Sequence, residues 1–476
     1  MKPLSLFGSG VKSYSPVVTA QRRLNCFYDI RQDGDSFNTV IRGTPGWSLW
    51  ATLAVGPIRG WRVVASNLYV VGGGVVYKVT PAGVATVLGT IPRASTFVSV
   101  ADNGLQLIIV DGVGGYVVTI ATGALTTIVD AVFPNGATTV TFLDGRFIVN
   151  KAGTRQYYVG AFYDGMTWTP SITASKENAS DALIAVDVLN GAIILWGTNT
   201  MEFWQDVGAS PNPFSRINGA TQTWGLAALW SRASISNSMA FLGQNPQGSV
   251  QVMLLDGYAP TRISTSDIES IINSFSTFAD AVALTYIIDG HAMYQLTFPT
   301  GGRSFLYDSL TKIWSEVQTG LALTARHFGT LGIVFNSINY LSDSSTGAIY
   351  ALGETVYTDA GLLIKRQVTS RHINTGGNKF RISEIFLEMD TGLGLQFGQG
   401  SDPQLMLRIS KNGGRTFGYE RQTSLGKIGQ YLAPRVVFRR LGSARDFVFE
   451  FTMTDPVPFT ISYGGATVAQ MEGANG

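Results

Sequence analysis

The octapeptide SKNGGRTF, Ser410 to Phe417, sets a hydroxyl, an amide, a glycine, a second hydroxyl and an aromatic ring at fixed offsets. The spacing is that of the Asp-box, Ser-x-Asp-x-Gly-x-Thr-Trp, with Asn412 in the Asp place and Phe417 in the Trp place. A short polar side chain at that place accepts hydrogen bonds from the turn's own amides, and Asn tolerates left-handed backbone. Gly414 can supply a positive φ. Ser410 and Thr416 complete the pattern, and Phe417 is available as an apolar plug. The stretch holds no base, no nucleophile and no metal cluster. It therefore predicts a turn between antiparallel strands, LMLRIS before it and GYERQ after it.

Other residues capable of chemistry give no catalytic set. His291, His327 and His372 lie tens of residues apart, without metal-ligand spacing. FGSGVKS, Phe7 to Ser13, resembles a phosphate loop, but Val11 separates Gly10 from Lys12 and the required G-x-x-x-x-G-K-[ST] order fails. Gly72 to Gly74 lies between two apolar runs and reads as a turn. No GxSxG elbow occurs. Asp33, Asp111, Asp144, Asp164, Asp256 and Asp289 each precede a glycine and read as turn residues. Carboxylate pairs for glycoside hydrolysis meet in space rather than in sequence. EFWQD (Glu202 to Asp206) and YER (Tyr419 to Arg421) are where such groups would be sought. Asn178-Ala179-Ser180 matches a glycosylation sequon, which needs a secretory route to matter. No catalytic, metal-binding or cofactor-binding residue is assigned, and no cofactor is expected. Arg435, Arg439, Arg440 and Arg445 form the one dense basic group, a candidate assembly surface.

These residues must be carried by strands. Glycine supplies 55 of 476 residues, and charged residues are 14% against about 25% in ordinary domains. Val, Ile, Thr, Tyr and Phe are common, which points to a β-rich chain with many tight turns. The net charge is +2, without a block of like charge, so no basic arm for nucleic acid is visible. Low charge density over a chain of this length suits a surface covered by partners. Cys26 is the single cysteine, which excludes a disulfide within the chain and suits a reducing compartment. MKPLSLFGSG lacks a signal-peptide apolar run, and GAIILW is far short of the ~18 residues of a membrane helix. A soluble protein with no export signal and no membrane anchor is expected.

A unit of short apolar strand, turn and aromatic-rich strand recurs from Gly60, Val100, Val140, Val186, Ser231, Thr285 and Arg326. Asn-Gly, Asp-Gly or Gly-Gly turns punctuate it. The reading is all-β: a β-propeller of about six or seven blades over residues 55–355, and a C-terminal β-sandwich over 356–476. Residues 1–54 form an N-terminal arm or an incomplete blade. Stacked β-sandwiches are the rival architecture, and regular spacing favours the propeller because radial repetition hides strand edges. One helix is expected in STSDIESIINSF, Ser264 to Phe275, with Ser266 as its N-cap and Ile268, Ile271, Ile272 and Phe275 on one face.

Several stretches, in order, carry a resemblance that runs nearly end to end: VIRGTPGW (Val40 to Trp47), LYVVGGGVVYKV, DGRFIVNKAGTRQYYVGAFYDGMTW, DALIAVDVLNGAIILWGTNTMEFWQDVGAS, TSDIESIINSF, SKNGGRTFGYERQ and RRLGSARDFVFEFTMTDPVPFTIS. The chain resembles the tail hub, or nozzle, proteins of short-tailed bacteriophages, the packaged-DNA stabilisation proteins. The resemblance implies a structural, non-enzymatic virion protein, assembled in the host cytoplasm and residing in the virion tail. It implies a homo-hexameric ring below the portal and its adaptor protein, a tail needle or plug at the far end, and tailspikes or fibres docked around it. Double-stranded DNA would pass through the ring without sequence-specific binding. The alternative is a glycan-binding or glycan-cleaving propeller, since Asp-boxes recur on sialidase-type blades; a cellular interaction scaffold is a third reading.

Overall fold

The computed structural model describes residues 6–8, 11–13, 15, 19–33, 36–92, 96–170, 173–430 and 435–470; the side chains of 31–38 and 468–470 are not among them. Seven consecutive antiparallel sheets radiate from an axis. Their first strands are Ile58–Val64, Ser99–Asp102, Val140–Leu143, Leu183–Leu189, Ala233–Ile235, Val282–Ile288 and Gly329–Phe335. The first strand of blade seven touches that of blade one, so the ring closes.

Seven buried clusters lie one between each adjacent pair of blades. In blade two, Leu107 and Ile109 pack toward blade one while Ile108 and Val110 pack toward blade three. Middle strands are thus buried on both faces, which is why QLIIV and AIILWG are unbroken apolar runs rather than alternating ones.

The first 54 residues are shared among three sheets. Gly46–Thr52 supplies the fourth strand of blade seven, pairing with Ala348–Gly353. The hairpin Cys26–Asp33 with Ser36–Gly43 enters the sandwich, beside Thr460–Gln470. Arg23–Leu24 bridges the outer strand of blade six, Ile313–Val317, to Arg366–Thr369 of the sandwich. One ten-stranded sheet therefore runs from the propeller into the sandwich. Asn25 pins the crossing: its Nδ2 donates to the carbonyls of Gln318 and Lys365, each at 3.0 Å, and its Oδ1 accepts from Gln318 N at 2.9 Å. Its φ of 51° is the left-handed region that Asn tolerates. Cys26 is buried in the sandwich core beside Leu387 and Phe451, and burial pushes its thiol up to about 12.

The α-helix, Ser266–Asn273, joins blades five and six and buries Ile268 and Ile272 between them. Its N-cap is Thr265, not Ser266: the Thr265 hydroxyl accepts from Ile268 N at 3.4 Å, and Thr265 holds extended backbone with φ −94° and ψ 160°. Ser266 is already helical, so its hydroxyl cannot cap. Thr265→Ala is expected to cost about 0.5–1 kcal/mol, the low end for a long capping bond, and Ser266→Ala only a few tenths. Urea unfolding of the two variants separates the assignments.

Among the Asp-Gly pairs, Asp144 and Asp289 sit in hairpin turns with φ 46° and 47°. Asp111 closes a turn by accepting from Val113 N and Gly114 N, both at 2.9 Å. Asp164 differs: it opens the strand Asp164–Trp168, and the turn is Phe162-Tyr163, with Tyr163 at φ 52°. Gly34, Ser9 and Gly10 lie outside the described residues, so the Asp33-Gly34 turn and part of FGSGVKS do too.

Candidate assembly surfaces

SKNGGRTF leaves the strand Gln404–Ser410 and leads to the antiparallel strand Arg421–Ser424. Ser410 Oγ donates to Asn412 Oδ1 at 2.8 Å and accepts from Gly414 N at 2.9 Å. Asn412 Oδ1 also accepts from Thr416 N at 3.0 Å, and Asn412 Nδ2 donates to Thr416 Oγ1 at 2.8 Å. The polar groups of the motif are thus spent on its own turn. Gly414 has φ 79°, and a Cβ there would stand 2.4 Å from Ala20 Cβ. Gly414→Val is expected to cost ~1–3 kcal/mol through that strained conformation; an unchanged melting curve would refute the turn assignment. Phe417 is half-buried rather than sunk in the core, with the Arg408 guanidinium 5.3 Å from its ring centre. The ten-residue connection carries the ring past the core instead of down into it.

The basic group lies on and beside Arg435–Ala444, an edge strand of the sandwich. Arg435 pairs with Glu388 at 2.7 Å and stands 4.1 Å from the Phe386 ring centre. Arg439 pairs with Glu384 at 3.4 Å. Arg440 takes φ 59°, and Arg445 is exposed in the turn after the strand. Half of the group is therefore matched by carboxylates on the neighbouring strand Phe380–Met389, and charge on an edge strand opposes unwanted pairing. The Arg421 guanidinium donates to the Arg439 carbonyl at 2.9 Å and lies 5.2 Å from the Tyr419 ring centre. Asn412, Thr416, Phe417, Tyr419, Arg421 and Arg440 so line one open cleft of about 420 Å³. The turn motif, YER and one member of the basic group meet there. Only strand pairing between distant segments brings them together.

The remaining candidates are structural in placement. Glu202 is buried and accepts from Glu177 N at 3.1 Å, Asn178 N at 2.7 Å and Trp204 Nε1 at 3.2 Å. His291 Nδ1 lies 2.8 Å from Asp308 Oδ2 inside the sixth blade. His372 Nδ1 lies 2.7 Å from Asp446 Oδ2 in the sandwich. His327 is buried, and burial lowers its pKa to about 3. Among the described residues no three His, Cys, Asp or Glu side chains gather as metal ligands. No helix among them is long and apolar enough to cross a membrane.

A further surface was not sought in the sequence. The turns between first and second strands and between third and fourth strands share one propeller face, because strand direction alternates. Each blade exposes a large apolar residue there: Val84, Leu105, Phe162, Val207, Tyr258, Leu310 and Ile338, from 42% to 65% exposed. Apolar residues in loops of every repeat were the available signal.

A family model described as Bacteriophage P22 Gp10, beta-propeller, matches residues 23–357, and one described as Bacteriophage P22 Gp10, beta-sandwich, matches residues 365–469. The chain belongs to the P22 Gp10 family. The tail hub protein gp10 of Salmonella phage P22 is 24% identical over 192 residues, which cover 38% of this chain and 40% of that protein. Membership makes the chain a structural protein of a phage tail. Among solved structures, the WD40 β-propeller domain of Doa1 has 13% identity and a TM-score of 0.42, over 65% of this chain and 97% of its own. The extracellular domain of the hybrid two-component protein BT4673 of B. thetaiotaomicron has 6% identity and a TM-score of 0.44, over 75% and 44%. Membership in the P22 Gp10 family rests on the family models and not on these likenesses.

Proposed function

We propose that the chain is the nozzle of a short tail: six copies form a ring that extends the DNA channel below the portal and its adaptor protein and retains the packaged DNA. A tail needle or plug closes the ring, and tailspikes or fibres dock around it, all within a virion tail assembled in the host cytoplasm. The observation that carries the reading is membership of a tail hub family. The rest of the molecule supports it. Apolar tips on all seven blades suit a face covered by neighbours. A sheet shared by propeller and sandwich gives a subunit that transmits load as one body. Head-to-tail contacts between such subunits close by rotation. A net charge of +2 suits a conduit, since a strongly basic lining would hold DNA by its phosphates and slow its exit. The division near residues 54 and 355 belongs to the proposal, with Gly46–Thr52 lent by the first segment to the propeller. Our reading assigns the chain no catalysis.

Disrupting the gene in its phage and counting DNA-filled and emptied heads by electron microscopy tests the role. Heads that package and then lose their DNA are expected. Heads that stay full on particles unable to adsorb would overturn the nozzle and favour a receptor-binding propeller.

A further inference from the structure

A cleft of about 530 Å³ lies where blade six, the N-terminal segment and the sandwich meet. Six cations and three carboxylates line it, an excess of three positive charges on a chain whose total is +2. Two of the carboxylates are already committed. Glu316 is clamped between Arg22 and Arg303, both at 2.9 Å. Glu450 accepts from Arg408 at 2.8 Å and from Gln367 Nε2 at 2.7 Å. Lys12, Lys365 and Arg415 make no ion pair among the described residues, and only Glu420 is left to offset them. Lys12 and Arg415 are exposed, while Lys365 is half-buried. These three charges come from three separate stretches of chain and face one space.

We propose that this cleft binds an acidic peptide segment of a partner protein, whose carboxylates pair with Lys12, Lys365 and Arg415. The fixed ion pairs hold the walls and leave the free cations to the ligand. Pockets of ~300–1,000 Å³ enclose a compact ligand, and an extended segment advancing ~3.3–3.6 Å per residue sets a few side chains in such a space. A duplex is a poorer occupant. It presents one charge per ~1.7 Å of axis and is held by long tracks of cations, whereas the six cations here line one cleft. Burial, and next the neighbouring Arg22, lower the pKa of Lys365; an incoming carboxylate offsets the repulsion from Arg22. A segment seated there would touch propeller and sandwich at once and so fasten their junction.

The test is fluorescence polarisation of a labelled hexaglutamate peptide on the full chain, in about 150 mM salt, where only close charge pairs escape screening. Saturable binding is expected. It should weaken by about tenfold or more in the Lys12→Glu/Arg415→Glu double variant, and stay unchanged in Arg445→Glu, which lies outside the cleft. In the unaltered chain the peptide should also shield Lys365 from amine-reactive labelling, read by mass spectrometry, and leave Lys427 labelled. No saturable binding, equal weakening in Arg445→Glu, or Lys365 left unshielded would overturn the proposal. So would a DNA duplex of equal total charge that displaces the label at lower concentration than the unlabelled peptide does.

Discussion

Replacing Trp47 with alanine is expected to destabilise the chain by about 3–5 kcal/mol, the range for deleting a buried Trp side chain. Trp47 is 3% exposed and lies in the cluster between blades six and seven, edge-on to Tyr286 with ring centres 5.4 Å apart. Its carbonyl accepts from Ala360 N at 2.9 Å, and its strand is hydrogen-bonded to blade seven along Ala348–Gly353. On the other side of that strand Trp50 packs on Phe335 and Tyr340 in the cluster toward blade one. The strand thus fastens the last blade to both of its neighbours. Its loss is not local, because the preceding hairpin Cys26–Gly43 is half-inserted in the sandwich and the sheet through Arg23–Leu24 is continuous with blade six. Propeller and sandwich should weaken together. Urea unfolding followed by tryptophan fluorescence and by far-UV circular dichroism checks this. Ser48→Ala, exposed on the same strand, is expected within about ±0.5 kcal/mol. A Trp47→Ala loss below about 1 kcal/mol, or two separated transitions, would show that the closure is not held there.

The propeller was legible because each blade repeats a short unit with its own hairpin turns, so the signal is local and recurs. The seven units read from the chain start within a few residues of the seven observed sheets. The closing strand was not legible as such. WSLWAT pairs with a segment some 300 residues away, and nothing within Gly46–Thr52 names that partner. The same holds for the hairpin from Cys26, whose alternation fits any half-buried sheet. The helix was read from its spacing, and its cap missed by one residue because Ser264, Thr265 and Ser266 are all capable caps. Among the candidate surface residues, the Asn412 turn could be read because its hydrogen bonds stay within the seven residues from Ser410 to Thr416. The pairing of Arg435 and Arg439 with Glu388 and Glu384 could not, because it depends on the register of two strands about 50 residues apart. The basic cleft was invisible for the same reason, since Lys12, Lys365 and Arg415 meet only through the fold.

Asp359→Asn is expected to change the pH dependence of stability by about 4 kcal/mol between pH 4 and pH 7, about 1.4 kcal/mol per unit for one proton. Asp359 is 2% exposed, its Oδ1 has no hydrogen-bond partner, and its Oδ2 lies 3.9 Å from His327 Nε2. Burial pushes its pKa from 3.8 up to about 7, with the Arg366 charge pulling the other way. Burial and then Arg326 lower that of His327 from 6.5 to about 3. Between pH 4 and 7 the folded chain keeps a proton on Asp359 that the unfolded chain has released. The stability Asp359 contributes is therefore full below about pH 4 and fades as the pH rises to about 7. His327 acts oppositely: from pH 3 to 6.5 the unfolded chain holds a proton that the folded chain refuses, so its contribution grows with pH. In the natural chain the two slopes nearly cancel. Asn cannot titrate, so the variant keeps only the rising slope of His327, and its stability relative to the natural chain should climb steadily from pH 4 to pH 7. Urea unfolding at several pH values gives both curves, and parallel curves would defeat the assignment. The seam is the one Trp47 fastens, since Asp359 and Trp47 are bridge partners in neighbouring parallel strands. The neutral carboxyl costs less to bury there than the ionised form, whose desolvation the Arg366 charge offsets only in part. The closure strand should therefore loosen first at high pH, and Trp47→Ala and Asp359→Asn should depart from additivity in a double-mutant cycle.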